Sequence, residues 1–338
     1  MQLEVKFMED RNSFTFALLS YNHSKYIIEH LESIKFLVDK YASNIDVDLI
    51  INDDFSKDNT RDKIDLWLCH NENIFKRVLK IYNDVNLGTC KSTLNIINNC
   101  NTDYIKITAG DDVFSYENIF SFAVKYNKGD IISGLPIGLI NHKLDFNHAD
   151  VFNIVASDVI YSKVGHDKRF KSLSFNNAPN IIYNLTKLKS DSLKRFLGNY
   201  DVVEDLPIQI NLAESNDFKF IQDYKTYVYY RRTEGSTYII ANDRFKNDQV
   251  KIFDYLIDKE NNIFDKLILK SRKYSFLKKN RVLKKIFNLG IYLYLLRLIL
   301  NVKTIFVKYR SVMSDSDIDN HKLHFDLINK RSQKYNVN

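Results

Sequence analysis

The chain has 338 residues, of which 45% are hydrophobic and 13% aromatic, and its net charge is +7. This length suits one large domain with an appendage or two modest domains, and the apolar content argues against a disordered chain. Nine glycines and three prolines are too few for long flexible linkers. Cys69, Cys90 and Cys100 form no CxxC pair and no even-numbered set, which favours a reducing compartment with all three thiols buried.

The positive charge is concentrated in one segment. Residues 266–310 contain 13 Lys or Arg and no Asp or Glu, so the rest of the chain carries a net charge of −6. The first ten residues lack the apolar core of a secretory signal. We also find no run of the roughly 18 to 20 apolar residues that a membrane span requires. The sequence therefore predicts a cytoplasmic protein.

Short apolar runs alternate with helical patterns over the first 110 residues. The runs predict strands at 14–19, 47–51, 77–82 and 104–108. The helical patterns cover 25–41, with Ser24 as the N-cap, then 58–68 and 88–99. This alternation predicts an α/β fold with a mostly parallel central sheet and helices on both faces.

The pattern is less regular in the middle of the chain and becomes helical at the end. Strands are predicted at 131–133, 158–162, 218–221 and 226–231, and a helix at 203–214. From about residue 242 the spacing is helical throughout. We therefore divide the chain into an α/β domain, 1–241, and a basic helical C-terminal region, 242–338.

Pairs of carboxylates directly follow two of the predicted strands. Asp53 and Asp54 come after the second strand, and Asp111 and Asp112 after the fourth. In an open α/β sheet, ligands bind at the carboxyl ends of the strands. Adjacent carboxylates repel each other unless a cation offsets their charge. The sequence predicts a metal-dependent enzyme that acts on a nucleotide-linked substrate.

Six motifs in a fixed order resemble those of the family 2 glycosyltransferases with the GT-A fold. The motifs are Leu19-Ser20-Tyr21-Asn22, Asp53-Asp54-x-Ser56-x-Asp58-x-Thr60, Asn86-Leu87-Gly88, Asp103-Tyr104-Ile105 leading into Ala109-Gly110-Asp111-Asp112, Glu204-Asp205-Leu206-Pro207, and Tyr230-Arg231 followed by Ser236. The resemblance covers about residues 13–238. Any one motif is weak, but six in order at compatible spacing are a specific signal.

The resemblance implies a nucleotide site on the first three motifs. Ser20, Tyr21 and Asn22 would form part of the wall around the nucleoside, and Asp54 would accept a hydrogen bond from the base. Asn86 and Lys91 lie where the family contacts the nucleotide, although a helical lysine is as often simply solvated. For Ser56 and Asp58 we favour a structural role in a turn or helix cap.

The resemblance also implies a metal site. Asp111 would reach the ribose and the metal, and Asp112 would coordinate Mn²⁺ or Mg²⁺ bridging the diphosphate, where the cation neutralises charge on the leaving group. The chain departs from the commoner Asp-x-Asp-Asp form, because Ala109 occupies the first acidic position. The alternative is a turn capped by the two carboxylates.

Glu204 and Asp205 match the catalytic pair of the inverting members, in which the aspartate is the general base. Glu204 would raise the pKa of Asp205 toward the working range. The alternative is that both acids stabilise the start of a helix. Arg231, or its neighbour Arg232, would pair with phosphate oxygens or with these two carboxylates, unless it is an exposed strand arginine.

The basic segment 266–310 interleaves charge with bulky apolar residues. This composition suits a helix that lies on an anionic membrane surface. Two alternatives remain, a helical appendage with a solvated basic face and a homodimer interface. Nucleic-acid binding is not expected, because no recognised module accompanies the charge.

Together these features predict an inverting, metal-dependent glycosyltransferase at the inner face of the cytoplasmic membrane. It would move a sugar from a nucleotide donor, with UDP-sugars first, to a hydroxyl of a glycan or lipid-linked oligosaccharide of the capsule, O-antigen or lipooligosaccharide type. A nucleotidyltransferase would need a glycine- and Arg/Lys-rich loop, which 18–25 lacks. A degenerate scaffold is disfavoured, because Asp111, Asp112 and Asp205 are all present.

Overall fold

The computed structural model describes residues 13–121, 129–232, 243–314 and 317–335, so Ser236 and the predicted boundary at 241 lie outside it. The strands are β1 (Ser13–Ser20), β2 (Asp46–Asp53), β3 (Arg77–Tyr82), β4 (Tyr104–Ala109), β5 (Val113–Phe114), β6 (Ile131–Ser133), β7 (Ile137–Ile140), β8 (Lys143–Asp145), β9 (Ile181–Asn184), β10 (Phe220–Gln222) and β11 (Val228–Arg231). The helices are α1 (Ile27–Tyr41), α2 (Thr60–Asn71), α3 (Thr89–Asn99), α4 (His148–Val164), α5 (His166–Lys171), α6 (Leu185–Leu188), α7 (Asp191–Leu197), α8 (Asp205–Ala213), α9 (Asp243–Lys259), α10 (Ile263–Leu277), α11 (Arg281–Ile286), α12 (Leu289–Ser314) and α13 (Ile318–Ser332).

The central sheet confirms the predicted fold class. Its seven strands lie in the order β10-β6-β9-β4-β1-β2-β3, and every pairing is parallel except the two made by β9. Side chains alternate between the two faces of a strand. On β1, Phe14 and Phe16 pack on the side of α1 and α2, whereas Ala17 belongs to the core on the side of α3 and α8. Helices therefore cover both faces.

A second, four-stranded sheet has the order β5-β11-β7-β8. In it β11 pairs in parallel with β7 and antiparallel with β5, which follows directly after β4. Strand β5 begins just after the carboxyl end of β4, and β11 runs antiparallel to it. The last residue of β11, Arg231, therefore lies at the carboxyl end of the central sheet.

Three local predictions are wrong. The segment 158–162 is helical and lies inside α4, where Val159, Ile160 and Tyr161 are buried against α12, so a β-branched run was mistaken for a strand. Ser24 is not the cap of α1: Tyr26 precedes that helix, and the amide of Ser24 donates to Asp58. Of the three cysteines, Cys69 is exposed.

The C-terminal helices pack onto the α/β part. Tyr294 and Ile305 of α12 share a core with α4. Phe325 and Ile328 of α13 pack on the second sheet, and the Nε2 atom of His324 lies 3.0 Å from the carbonyl oxygen of Phe114. The predicted helical appendage is therefore in contact with the domain that it follows.

Helix α12 corrects the expectation that no segment is apolar enough to span a membrane. It has 26 residues, and an 18-residue window within it has a mean hydropathy of 1.6. Arg297 and Lys303 interrupt the apolar sequence but do not prevent this value. By length and composition alone it could cross a membrane, yet one side of it contacts α4.

Candidate active site

The carboxyl ends of β1, β2 and β4 bring the predicted polar residues to one edge of the sheet. Ser20 lies opposite Asp53, and Leu19 lies opposite Ala109. The amide of Asp54 donates to the carbonyl oxygen of Ser20 at 2.8 Å, and the amide of Gly110 donates to that of Leu19 at 2.9 Å. The turns that follow the three strands are thus tied to one another by backbone hydrogen bonds.

Asp54 organises the loop after β3. Its buried carboxylate accepts hydrogen bonds from the amides of Leu87 and Gly88 at 2.7 and 2.9 Å, and from the side chain of Asn83 at 2.9 Å. Asn86 of the same loop donates to the carbonyl oxygen of Asp54 at 3.3 Å. The structure therefore brings Asp54 and Asn86 together. Their contacts with a nucleotide stay predictions.

Gly88 is required in this loop. Its φ is +86°, and a Cβ atom there would lie 2.6 Å from the carbonyl oxygen of Asp201 and 2.7 Å from a guanidinium nitrogen of Arg244. A side chain would therefore meet both an unfavourable backbone region and a clash. Lys91, in the helix that follows, is exposed.

Ser20 to Asn22 form the rim of this edge. Ser20 is 3% exposed, and its hydroxyl has no hydrogen-bond partner among the described residues. A buried hydroxyl without a partner is costly, so a ligand that binds here would satisfy it. Tyr21 is 45% exposed, whereas the side chain of Asn22 accepts from the amide of Lys57 at 2.8 Å.

The contacts of Ser56 and Asp58 agree with the structural role in a turn that we favour for them from the sequence. The hydroxyl of Ser56 donates to Asp53 and accepts from the amide of Asn22. Asp58 accepts from the amide of Thr60 at 3.1 Å. Both side chains therefore hold the loop after β2 in place.

The Asp111–Asp112 turn is buried. Asp112 is 1% exposed, and its Oδ1 atom accepts from the amide of Arg231 at 2.9 Å. Burial raises the pKa of Asp112 well above its ordinary value, and the neighbouring charge of Asp111 raises it further. The Nδ1 atom of His30 lies 2.9 Å from the carbonyl oxygen of Asp112. Since a carbonyl oxygen can only accept, the Nδ1–H of His30 donates, and burial lowers the pKa of this ring to about 3.

Arg231 contacts the Asp111–Asp112 turn and does not pair with Glu204 or Asp205. Its Nε atom donates to the carbonyl oxygen of Asp111 at 2.6 Å, and its Nη2 atom forms an ion pair with Glu29 of α1. The residue is 4% exposed, and the guanidinium lies 4.3 Å from the ring centre of Tyr26. The predicted pairing with Glu204 and Asp205 and the exposed-strand alternative are both wrong, because the second sheet places β11 against α1.

Three residues around the turn were missed by sequence reasoning. Glu29 follows the ordinary helical pattern of α1, so nothing marked it. Lys106 is fully buried on β4, donates to the carbonyl oxygen of Pro179, and has its pKa lowered by burial to about 7. A lysine inside an apolar strand was a detectable signal. His142, in the β7–β8 turn, has its Nδ1 atom 4.0 Å from a carboxylate oxygen of Glu29.

Glu204 and Asp205 lie together at the start of α8. Burial raises the pKa of both carboxyl groups, and for Glu204 the charge of Asp205 adds to the effect. Although Glu204 occupies the N-cap position, its side chain makes no capping hydrogen bond. Gln209, one turn along the same helix, is 3% exposed, and its amide nitrogen has no partner within the described ranges.

The Asp111–Asp112 turn is the acidic site at which a cation would bind. In the part of the chain that the structure describes, no three His, Cys, Asp or Glu side chains group to hold a metal. Asp111 and Asp112 provide two adjacent carboxylates, and Mg²⁺ is commonly held by one or two carboxylates together with substrate phosphates. This pair therefore fits a cation whose other ligands come from the substrate.

A cavity of about 380 Å³ lies away from this edge. It is lined by Ile137 at the start of β7 and by Thr226, Lys308 and His321. Neither Asp53 and Asp54, Asp111 and Asp112, nor Glu204 and Asp205 line this cavity.

The chain is similar in sequence to known proteins. A family model described as glycosyl transferase family 2 matches residues 15–189. The abequosyltransferase RfbV of Salmonella typhimurium is 32% identical over 108 residues, which span 31% of this chain and 30% of that protein.

Solved structures with the same fold are more distant in sequence. TarS of S. aureus in complex with UDP-GlcNAc has a TM-score of 0.54 at 16% identity, with 94% of this chain and 92% of that chain covered. The mannosyltransferase PcManGT of Pyrobaculum calidifontis in complex with GDP-Man and Mn²⁺ has a TM-score of 0.55 at 12% identity, with coverage of 95% and 86%. At these identities the likeness establishes the fold.

Proposed function

Since the chain belongs to glycosyl transferase family 2 and is therefore a glycosyltransferase, we propose that it transfers a sugar from a nucleotide-sugar donor to a hydroxyl group of a bacterial surface glycan. A UDP-sugar is the donor we place first, and the reaction inverts the anomeric centre. The main support is the single sheet edge at which Ser20, the Asp54 loop and the Asp111–Asp112 turn meet.

The donor would bind along this edge. Ser20 offers a buried hydroxyl without a partner, and the loop fixed by Asp54 would receive the nucleoside. Asp111 and Asp112 would hold Mn²⁺ or Mg²⁺, which stabilises negative charge on the leaving nucleoside diphosphate. The solved complexes of similar fold contain UDP-GlcNAc, or GDP-Man with Mn²⁺, and support a nucleotide-sugar donor of this kind.

Asp205 would act as the general base. Its carboxylate would take the proton of the acceptor hydroxyl, whose oxygen then forms a bond to the anomeric carbon. The bond from that carbon to the diphosphate breaks on the opposite face, and the electron pair leaves with the nucleoside diphosphate. A raised pKa makes the carboxylate a stronger proton acceptor than an ordinary aspartate. The abequosyltransferase relative supports a surface-glycan acceptor.

Nucleotide binding tests this proposal directly. We expect UDP to raise the melting temperature in the presence of Mn²⁺ more than GDP, CDP or dTDP do, and the metal-dependent part to disappear in Asp112→Asn. The reason is that the diphosphate and the two carboxylates share the cation. Thermal-shift measurements with each nucleotide, with and without Mn²⁺, give the result.

Asp58→Asn is the matched control, because it also neutralises an aspartate near this edge but one with turn contacts. It should lower the baseline melting temperature without removing the dependence on Mn²⁺. The proposal is wrong if the folded wild-type protein responds to no nucleotide. A larger response to GDP would move the donor to a GDP-sugar and leave the rest intact.

We also propose that the acceptor is reached at an anionic membrane surface on the cytoplasmic side. The basic apolar surface, as we name the exposed side of α10, α11 and α12, carries bulky side chains at Val282, Ile286, Leu296, Ile299, Leu300 and Val307. Lysines lie among them, and no acid occurs in 266–310. Because Tyr294 and Ile305 pack on α4, α12 would lie along the bilayer rather than cross it.

Vesicle binding should therefore depend on anionic lipid. We expect the protein to sediment with phosphatidylglycerol-containing vesicles and not with pure phosphatidylcholine vesicles. Lys279→Glu with Lys285→Glu should weaken binding by at least roughly 30-fold, since each lost basic residue near the surface contributes about 1 kcal/mol and the added acids are repelled by the lipid. Lys322→Glu with Lys330→Glu, on exposed positions of α13, is the control. Equal binding to both lipids, or a dimer that occupies this surface in solution, would contradict the assignment.

A further inference from the structure

The segment that leads into the proposed base is held by one buried carboxylate. The backbone amides of Asp201, Val202 and Val203 all donate to the Oδ2 atom of Asp248, at 2.8, 2.7 and 3.1 Å. Asp248 is 1% exposed and belongs to α9, which lies in the region that the sequence assigned to a helical appendage. Hydrogen bonds to an ionised acceptor are about twice as strong as neutral ones.

A second residue of α9 connects this segment to the nucleotide loop. The Nη2 atom of Arg244 donates to Oδ1 of Asp201 at 2.6 Å, and its Nε atom donates to the other carboxylate oxygen. Its Nη1 atom donates to the side chain of Asn86 at 3.2 Å. Arg244 lies one turn before Asp248, so both residues are on the same side of α9.

The contacts form a continuous path. Asp54 binds the amides of Leu87 and Gly88, and the amide of Cys90 donates to the carbonyl oxygen of Asp201 at 3.0 Å. Glu204 and Asp205 directly follow the segment 201–203. Helix α9 is thus hydrogen-bonded both to the loop that would receive the donor and to the segment 201–203 that precedes the proposed base.

We infer that Asp248 is a positioning residue for the base Asp205, and that Arg244 joins the same segment to the donor loop. The inference rests on the proposed function only in calling Asp205 the base. A catalytic group must be held within about 0.5 Å of its productive position, and a shift of about 1 Å costs roughly 10²-fold in rate. The three hydrogen bonds from the amides of residues 201–203 to Asp248, immediately before α8, supply that restraint.

Asp248→Asn tests the inference. Asparagine keeps the size of the side chain but presents a neutral group to three amide donors. We expect amide hydrogen exchange in peptides covering 201–206 to accelerate at least about tenfold. The kcat for UDP-GlcNAc, UDP-glucose or GDP-mannose, whichever is turned over, should fall roughly 10²-fold. Donor KM and the affinity for UDP should stay within about twofold, because the donor loop keeps its bonds to Asp54.

Asp258→Asn is the matched control, because Asp258 is an exposed aspartate on the same helix. It should change neither exchange nor kcat. Unchanged exchange at 201–206 in Asp248→Asn would overturn the restraint, and faster exchange with an unchanged kcat would overturn the positioning role. If no donor is turned over by the wild type, the proposed function fails, whereas the exchange measurement still decides whether α9 restrains the segment.

Arg244→Lys decides the matter if Asp248→Asn does not fold. The Arg244 side chain is 44% exposed, so the variant should fold. Lysine keeps the charge but cannot reach Asp201 and Asn86 together with a planar fork. We expect kcat to fall and donor KM to rise, each about fivefold. No change in either quantity would overturn the inference.

Discussion

Replacing Asp205 by asparagine is expected to lower kcat for sugar transfer by roughly 10²- to 10⁴-fold. The amide has nearly the same shape as the carboxylate but cannot take a proton from the acceptor hydroxyl. Binding of UDP should stay within about twofold of wild type, because the nucleotide edge is built from Ser20, the Asp54 loop and Asp111. Steady-state kinetics and calorimetric binding on the same preparation measure both quantities.

The pH dependence of the transfer rate provides an independent test of Asp205 as the base. Because burial raises the pKa of Asp205, the transfer rate should increase with pH through a window above the ordinary aspartate range of about 3.9. The free energy of unfolding should instead decrease as pH rises through the same window. The folded protein binds protons at Glu204 and Asp205 more tightly than the unfolded chain does, so this contribution is present below the unfolded pKa and is lost as pH rises toward the raised folded pKa.

Glu204→Gln separates the roles of the two acids. It leaves Asp205 able to act, and burial rather than the charge of Glu204 raises the pKa of Asp205. The variant should therefore retain most of the activity with little shift of the pH–rate profile. It should also melt at a higher temperature than wild type above about pH 8, the raised pKa of Glu204, where two charges in this half-buried pair are costly, and at a similar temperature near pH 4. An Asp205→Asn enzyme that retains wild-type kcat would show that another residue is the base.

The strand ends were predictable because their signal is local. Each apolar run of β1, β2 and β4 is followed at once by polar residues, and parallel pairing then forces Ser20, Asp54 and the Asp111–Asp112 turn to one edge. No distant contact has to be known for that inference. The motif order supplied the family, whereas the second sheet and the burial of Asp112 were not predicted.

The residues that hold the site together were not predictable in the same way. Arg231 pairs with Glu29, more than 200 positions earlier, through a second sheet built from strands of two to four residues. Asp248 lies beyond the boundary placed at residue 241, in a helix whose spacing revealed an apolar side but not the side that carries Arg244 and Asp248. Such contacts depend on how elements dock, which a helical or alternating pattern does not specify.

Replacing Arg231 by methionine is expected to lower the free energy of unfolding by about 3 to 5 kcal/mol. The change leaves Glu29 buried without its cation and removes the donor to the carbonyl oxygen of Asp111. The amide of Arg231 still binds Asp112, so the acidic turn is loosened rather than removed. Mn²⁺-dependent stabilisation by UDP should therefore weaken, because the turn that carries the two carboxylates is held less firmly.

Arg232→Met is the matched control, since it removes the next arginine of the same segment. Arg232 pairs with Asp150 at 2.8 Å, but both side chains are 38% exposed, and such surface pairs contribute about 0 to 1 kcal/mol. Adding Glu29→Gln to Arg231→Met should recover part of the loss, because the unpaired charge is removed. Denaturant unfolding of the wild type, Arg231→Met, Glu29→Gln and the double variant measures the coupling. Equal losses for Arg231→Met and Arg232→Met would show that the buried pair does not hold the Asp111–Asp112 turn.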